Sequence, residues 1–379
     1  MEKLIVKNFG PIKEAEIDLT KYVVFIGDTS TGKSVLAKLI AIFRDTLYRF
    51  SRDTSKIDIE KELKFYNIDF EFQKSEIYYS FGEYNSSLVN GVITSDKQLV
   101  EDNFVAKLQK DIKEFLAQHD KFNIDIESLI KQSLYKLEQT NITTYIPAER
   151  ILNSFISTSL SGLWANNIAL PECFKDFAAK YEVARKEIKN IHYEDFGLNY
   201  RFDSGTDYIR YNDVEVKMNY SSTGIQSLTP LLLVFDNFLQ SKEFKNFRNN
   251  VLIEEPELNL FPIKQKLLIE HVINKMSSTD YRLIITTHSP YILSVLDTLI
   301  LAKNTYNEHP ELKEEISAII SEDKWIDYND ISVYEVKNDG TIKSIKNEEF
   351  RSIDTNAIDG VSDIISEEFD KLTELRYAQ

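Results

Sequence analysis

A single cysteine, Cys173, is all the sequence offers for sulfur cross-linking. One thiol closes no disulfide within the chain and forms no CxxC metal hook, so a reducing, intracellular setting is the simplest one. Histidine is sparse as well: His119, His192, His271, His288 and His309 fall at no metal-ligand spacing such as HxxxH. No stretch approaches the ~20 apolar residues of a membrane span, and the N-terminus, MEKLIVKNFGPIKEAEIDL, lacks the continuous apolar run of a signal peptide. The expectation is a soluble, cytoplasmic protein with no membrane contact. Positive charge is in deficit. With 45 Lys and Arg against 61 Asp and Glu the net charge is −16, which excludes a surface basic throughout as a sleeve for nucleic acid and leaves room only for a local basic groove. The 379 residues contain no internal repeat, and suit one large α/β domain with an insertion or two modest domains.

What is present begins with alternating apolar positions over 3–19, split by Gly10-Pro11, which predict a β-hairpin, followed by a strand at 22–26 (YVVFI). The stretch 27-GDTSTGKSVLAKLI-40 comes next and opens a helix over 33–50. Gly27-x4-Gly32-Lys33-Ser34 between a strand and a helix is a phosphate loop in its required context. Gly27 and Gly32 let the backbone wrap, and the run Asp28, Thr29, Ser30, Thr31 through Val35 turns successive N–H groups and a helix N-terminus toward phosphates. Lys33 reaches β/γ oxygens and Ser34 binds Mg²⁺. From 51 to 140 the composition changes to Tyr- and Phe-rich alternating segments and Lys/Glu helices such as 104–118, the pattern of an inserted arm. A strand at 142–146, helices over 172–190, strands at 196–202 and 208–218, and a turn at 221–227 opening an apolar helix follow.

Two buried-type strands, 250–255 and 282–288, flank a helix at 262–276 and imply a parallel βαβ crossover. The first, in 251-VLIEEPE-257, delivers Glu254 and Glu255 at its carboxyl end, where open α/β sheets place ligands. Strand alternation would turn one toward a Mg²⁺ shell and the other toward an attacking water. His288 ends the second strand. It reads either as a helix-cap or packing residue or, one crossover after the carboxylates, as a group that meets the γ-phosphate or holds the water. The turn 221-SSTGIQS-227 is adequately explained as a helix cap, with an anion-binding helix N-terminus as the functional alternative. The acidic tail from 302 holds one more hairpin, 331–345, turning at Asp339-Gly340.

The order GDTSTGKS, SSTGIQ, VLIEEPELNLFP, IITTHSPYIL resembles the ABC-type ATPase heads of the SMC, RecF and OLD group. With 145-YIPAER-150 between them, these elements look most like the OLD-type branch found in many bacterial anti-phage ATPases. The resemblance implies an α/β P-loop NTPase head with a mixed or parallel core sheet, an N-terminal antiparallel β-subdomain and an inserted α/β arm. The expected division is 1–50 and 141–300 for the two parts of the core, 51–140 for the arm and 301–379 for an acidic extension. It further implies ATP and Mg²⁺ as cofactors, Glu254 as the Mg²⁺ carboxylate, Glu255 as the base, His288 as the switch histidine and Ser222-Thr223-Gly224 as the signature turn. In this group that turn caps the ATP of a second subunit, so a homodimer, or a higher oligomer built from it, is expected. Thr223 and Ile225 depart from the LSGGQ signature, Glu254 stands where transporter and SMC heads have Asp, and Asn259 and Phe261 stand where many relatives have His. The segment 147-PAER-150 reads either as a substitute for the Q-loop or as a structural ion pair of Glu149 or Arg150.

Three functions are compatible with such a head. The first is an ATP-driven dimeric switch for a separate effector, such as a nuclease or toxin, in anti-phage defence. The second is a RecF-like DNA-repair ATPase, to which the acid-laced helix 107-KLQKDIKEF-115 lends little support. The third is a nuclease in its own right, disfavoured because the residues after Ile300 are too few for a Toprim domain and contain no DxD.

Overall fold

Alternating buried and exposed side chains along Glu2–Phe9 (β1) and Ile12–Asp18 (β2) form an antiparallel hairpin in a computed structural model of the chain. The structure describes residues 2–49, 58–82, 84–95, 143–156, 170–211, 214–240, 249–354 and 360–377. Helix α1 (Lys33–Arg49) follows strand β3 (Tyr22–Ile26) through the glycine-rich loop. A short helix, α2 (Ile59–Phe65), starts at Asp58, whose side chain accepts from Lys61 N–H, and buries Ile59 and Leu63.

Strands β4 (Glu76–Phe81), β5 (Tyr84–Val89) and β6 (Val92–Ser95) were expected in an inserted arm, but they continue the N-terminal sheet in the order β2-β1-β4-β5-β6. β4 pairs with β1 from Glu2↔Phe81 to Lys7↔Glu76. Ile77, Tyr79 and Leu88 enter the core that Leu4 and Val6 fill, so burial on one face fixes this register. The helix expected at 104–118 lies outside the described residues.

A six-stranded central sheet takes in β3, β7 (Thr143–Ile146), β12 (Asn250–Glu254), β13 (Arg282–Thr287), β14 (Ile331–Val336) and β15 (Ile342–Ser344), in the order β15-β14-β3-β13-β12-β7. All pairs are parallel except β14–β15. Parallel strands covered on both faces need consecutive apolar side chains, and YVVFI of β3, the Val251–Ile253 run of β12 and the Leu283–Ile285 run of β13 supply them. Val23, Phe25, Leu252 and Ile284 face the α1 side. Val24, Ile26, Val251, Ile253 and Ile285 face the opposite core, built with α3 (Glu172–Glu187), α4 (Thr223–Gln240), α5 (Pro262–Ser277) and α6 (Pro290–Glu308). The expected α/β head with a mixed core sheet and an N-terminal antiparallel sheet is thus what forms. The strand expected over 208–218 is two strands, β10 (Thr206–Tyr211) and β11 (Val214–Lys217), which join β8 (Asn190–Tyr193) and β9 (Leu198–Asp203) in a further antiparallel sheet. Among the described residues no helix is long and apolar enough to cross a membrane.

The N-terminal sheet is fastened to the central one by a buried charge. Glu2 accepts from Arg44 Nε of α1 and the Tyr79 hydroxyl of β4, both at 2.7 Å, and pairs with Arg282 of β13 at 2.5 Å. Glu2→Ala, which takes the carboxylate from the buried Arg44 guanidinium, should cost about 3–5 kcal/mol in urea unfolding. A cost below about 1 kcal/mol would show that the pair contributes little.

Candidate functional site

The phosphate loop needs its two glycines for space as well as for backbone angle. A Cβ at Gly27 (φ +154°) would stand 2.3 Å from the Val336 carbonyl oxygen, and one at Gly32 (φ +104°) 2.5 Å from Ile12 Cδ1. Thr31 Oγ1 donates to Asp28 O (3.0 Å) and Asp28 Oδ1 accepts from Thr29 N–H (2.6 Å), while Asp28, Thr29 and Ser30 remain exposed. Ser34 is half-buried at the head of α1. The Val35 side chain sits in the core, which leaves its backbone N–H as the group available to a ligand.

Lys33 is buried, and its ammonium has three neighbours for its three N–H groups: Gly27 O at 3.0 Å, Asp28 O at 2.7 Å and His288 Nδ1 at 3.4 Å. Burial pushes its pKa below the usual lysine range, while the charges of Glu255, Asp28 and Glu257 pull it back up. On the far side of the imidazole, His288 Nε2 lies 3.3 Å from Glu255 Oε1. The neutral tautomer that satisfies both contacts carries its proton on Nε2, donating to Glu255 and accepting from Lys33. The cap of α6 falls to Ser289, followed by Pro290 at N1, so His288 is not the cap residue. The structure therefore brings Lys33, Glu255 and His288 together at the carboxyl edge of the central sheet.

Glu254 and Glu255 do diverge, but strand alternation is not the cause. β12 ends at Glu254, and Glu255 turns left-handed at φ +43° while its N–H still bonds the Thr286 carbonyl (2.8 Å). A non-glycine residue there costs about 1–3 kcal/mol and persists only where its surroundings enforce it. Arg150 is the enforcement. Fully buried, it spends all five N–H donors on carbonyls: Nε on Ser227, Nη1 on Pro147 and Glu254, and Nη2 on Glu255 and Pro256, at 2.7–3.3 Å. Burial lowers its pKa to about 10, opposed first by Glu257 and then by Glu255 and Glu254, so it remains charged at neutral pH. Of the two readings of 147-PAER-150, the ion pair fails for Arg150, which grips carbonyl oxygens instead.

Glu257, absent from the sequence-based site, orients the histidine. Its Oε1 accepts from Thr287 Oγ1 (2.8 Å) and from His288 N–H (2.7 Å), fixing where the backbone leaves β13. Its place as the third acid in EEPE was the available signal. Glu254 is buried between Tyr145 Oη (2.7 Å to Oε2) and Lys38 Nζ (3.5 Å to Oε1). Among the described residues its Oε1 has no hydrogen-bond partner. That unmatched carboxylate oxygen and the Ser34 hydroxyl are hard oxygen donors of the type Mg²⁺ takes, and Mg²⁺ fills the rest of its shell from phosphates and water. Among the described residues no cluster of three His, Cys, Asp or Glu could hold a metal by itself.

The turn at Ser222-Thr223-Gly224 opens α4, with Gln226 N–H bonding Ser222 O at 3.0 Å. Gln226 Nε2 braces it from below through Ser221 O (2.9 Å) and Asn219 O (3.2 Å). Ser222 and Thr223 face solvent. A Cβ on Gly224 would stand 2.8 Å from the Asn259 carbonyl oxygen. Arg150, through Ser227, ties this helix to the carboxylates.

Lysine cannot reproduce a planar five-donor fork. Arg150→Lys should cost at least about 2 kcal/mol in urea unfolding through carbonyls left unsatisfied. A loss below about 0.5 kcal/mol would mean that the carbonyls find other donors.

Comparison with known families matches the sequence to one of them. The model described as AAA ATPase domain matches residues 1–154 and 149–293, well over half of the chain. No curated protein matches the sequence. Solved structures that it resembles include an SMC head bound to the C-winged helix domain of ScpA, with 12% identity over 90% of this chain and 96% of that one and a TM-score of 0.40. The SMC head domain from Thermotoga maritima shares 13% identity over 77% and 90% of the two chains, with a TM-score of 0.36. An SMC head with an extended coiled coil from Pyrococcus furiosus, bound to the C-terminal domain of ScpA, shares 11% identity over 99% and 100%, with a TM-score of 0.35. From the match along residues 1–293, the chain belongs to the AAA ATPase domain family.

Proposed function

We propose that the chain is a Mg²⁺-dependent ATP hydrolase whose two copies close around two ATP molecules, and that closure switches or scaffolds a separate effector in bacterial anti-phage defence. The contact chain Lys33–His288–Glu255 carries the hydrolytic part. Lys33 would exchange its loop carbonyls for β/γ-phosphate oxygens, a charge-assisted contact. Glu255 would accept the proton of the attacking water, and His288, with Nε2–H toward the carboxylate, would keep it aimed. Ser34 and Glu254 would hold Mg²⁺, which when bound offsets charge on the phosphates.

The dimeric part draws support from the surface beside the signature turn. Tyr220 and Phe261 are 76% and 77% exposed, and Phe261 helps line a cavity of about 510 Å³ with Phe196, Ile209, Val216 and Ile225. Large apolar side chains in such a cluster fit a protein contact better than bare solvent. The defence role follows from the resemblance of the EEPE and TTHSP elements to OLD-type ATPases, and a cytoplasmic location from the single cysteine and the sequence pattern.

Glu255→Gln should keep ATP affinity and slow hydrolysis by about 10²–10⁴-fold, since the amide keeps the shape and loses the basicity. A change below about tenfold in single-turnover assays would move the base to another residue.

Dimer closure is testable by mixing two inactive chains. Gly224 is a poor place for a lesion, because any side chain there meets Asn259 of its own chain. Ser222 is exposed, and Asp at that position still caps a helix while placing a carboxylate where a phosphate would sit. Lys33→Ala and Ser222→Asp chains, each inactive alone, should regain hydrolysis when mixed, because one site of the heterodimer keeps both intact parts. With subunit exchange verified by tag pull-down, an inactive mixture would refute the shared site.

A further inference from the structure

The carboxylate of Glu254 is held from two sides by groups that the phosphate-loop motif does not include. The Tyr145 hydroxyl, on β7, donates to its Oε2 at 2.7 Å, and the Lys38 ammonium, on α1, stands 3.5 Å from its Oε1. The same ammonium lies 5.4 Å from the centroid of the Tyr145 ring, so the three side chains form one closed group. The Glu254 side chain is 5% exposed and that of Lys38 12%, which leaves their attraction little screened by water. Among the described residues Oε1 has no hydrogen-bond partner, and the lysine contact exceeds the usual length of a charge-assisted hydrogen bond, so the interaction is chiefly one of charge. Lys38 lies four residues after Ser34, on the same face of α1.

We propose that Lys38 and Tyr145 are positioning residues that clamp Glu254 and set the concentration of Mg²⁺ at which nucleotide binds. The proposal rests on the reading of Glu254 as the metal-side carboxylate. A buried carboxylate requires a countercharge, and Lys38 provides it. A divalent cation held by Glu254 would be opposed by the Lys38 ammonium beside the same carboxylate, which would weaken its binding. Tyr145 keeps that ammonium in place, holding the other carboxylate oxygen and, through the face of its ring, the lysine itself. The clamp thus trades metal affinity for a carboxylate whose direction is fixed.

The test is the Mg²⁺ dependence of binding of a non-hydrolysable ATP analogue, adenylyl-imidodiphosphate, by calorimetry, with melting temperature followed in parallel. Lys38→Met should lower the Mg²⁺ concentration at half-maximal effect by about tenfold, because one opposing charge is gone from a poorly screened site. Lys38→Arg, which keeps the charge, should follow the wild type, and Tyr145→Phe should lower the midpoint by a smaller factor. An unchanged or raised midpoint in Lys38→Met, or in Tyr145→Phe should the methionine variant not fold, would overturn the clamp. A wild type whose analogue affinity is the same in EDTA as in Mg²⁺ would instead overturn the metal reading of Glu254.

Discussion

Arg150 places five N–H donors where water does not reach, and the carbonyls they meet belong to β7's exit, the end of β12, the turn after it and the second turn of α4. Three carboxylates, Glu254, Glu255 and Glu257, cluster within a few residues, and their mutual repulsion would by itself splay that turn. The guanidinium beneath them supplies the compensating charge, felt most strongly between Arg150 and Glu257. It also satisfies the backbone groups that a left-handed Glu255 takes out of the strand ladder. The direction of Glu255, its 3.3 Å contact with His288 and thereby the line to Lys33 all depend on this one residue.

Much of this architecture was legible in the sequence because it is written in local patterns. Continuous apolar runs gave β3, β12 and β13, and Gly27-x4-Gly32-Lys33-Ser34 gave the loop. What escaped was whatever depends on partners distant in the chain or on the backbone itself. β4 looks like any Tyr-rich alternating strand, and nothing near it reveals that it pairs with β1 some seventy residues earlier, from Lys7↔Glu76 to Glu2↔Phe81. For Arg150 a sequence suggests an ion pair, because side-chain partners can be sought in it, whereas backbone carbonyl acceptors leave no mark there. Lys38 is a single charge inside VLAKLIAIF, a run otherwise given to the core, and its partner Glu254 reads in the sequence as the metal carboxylate.

Lys33 illustrates how a buried lysine can be both charged and tolerated. Each of its N–H groups has an acceptor within the chain, so a phosphate that reaches it replaces existing contacts rather than satisfying an orphaned cation. The net gain from that contact is therefore smaller than the bare charge would give. The more distinctive contribution to phosphate recognition falls to the backbone N–H groups of the loop, whose path the two glycines fix through close packing against Val336 and Ile12.

The meeting of Gly224 with the Asn259 carbonyl has a mechanical meaning. Where a side chain would normally cushion two segments, here bare backbone abuts bare backbone, and a Cβ has no room at 2.8 Å. The start of α4 and the turn that runs on from Glu255 therefore meet with no side chain between them, like a gear tooth seated in its notch. A displacement of the carboxylate turn toward α4 would press directly on the Ser222 end of the helix, across a seam built from the absence of a single carbon atom.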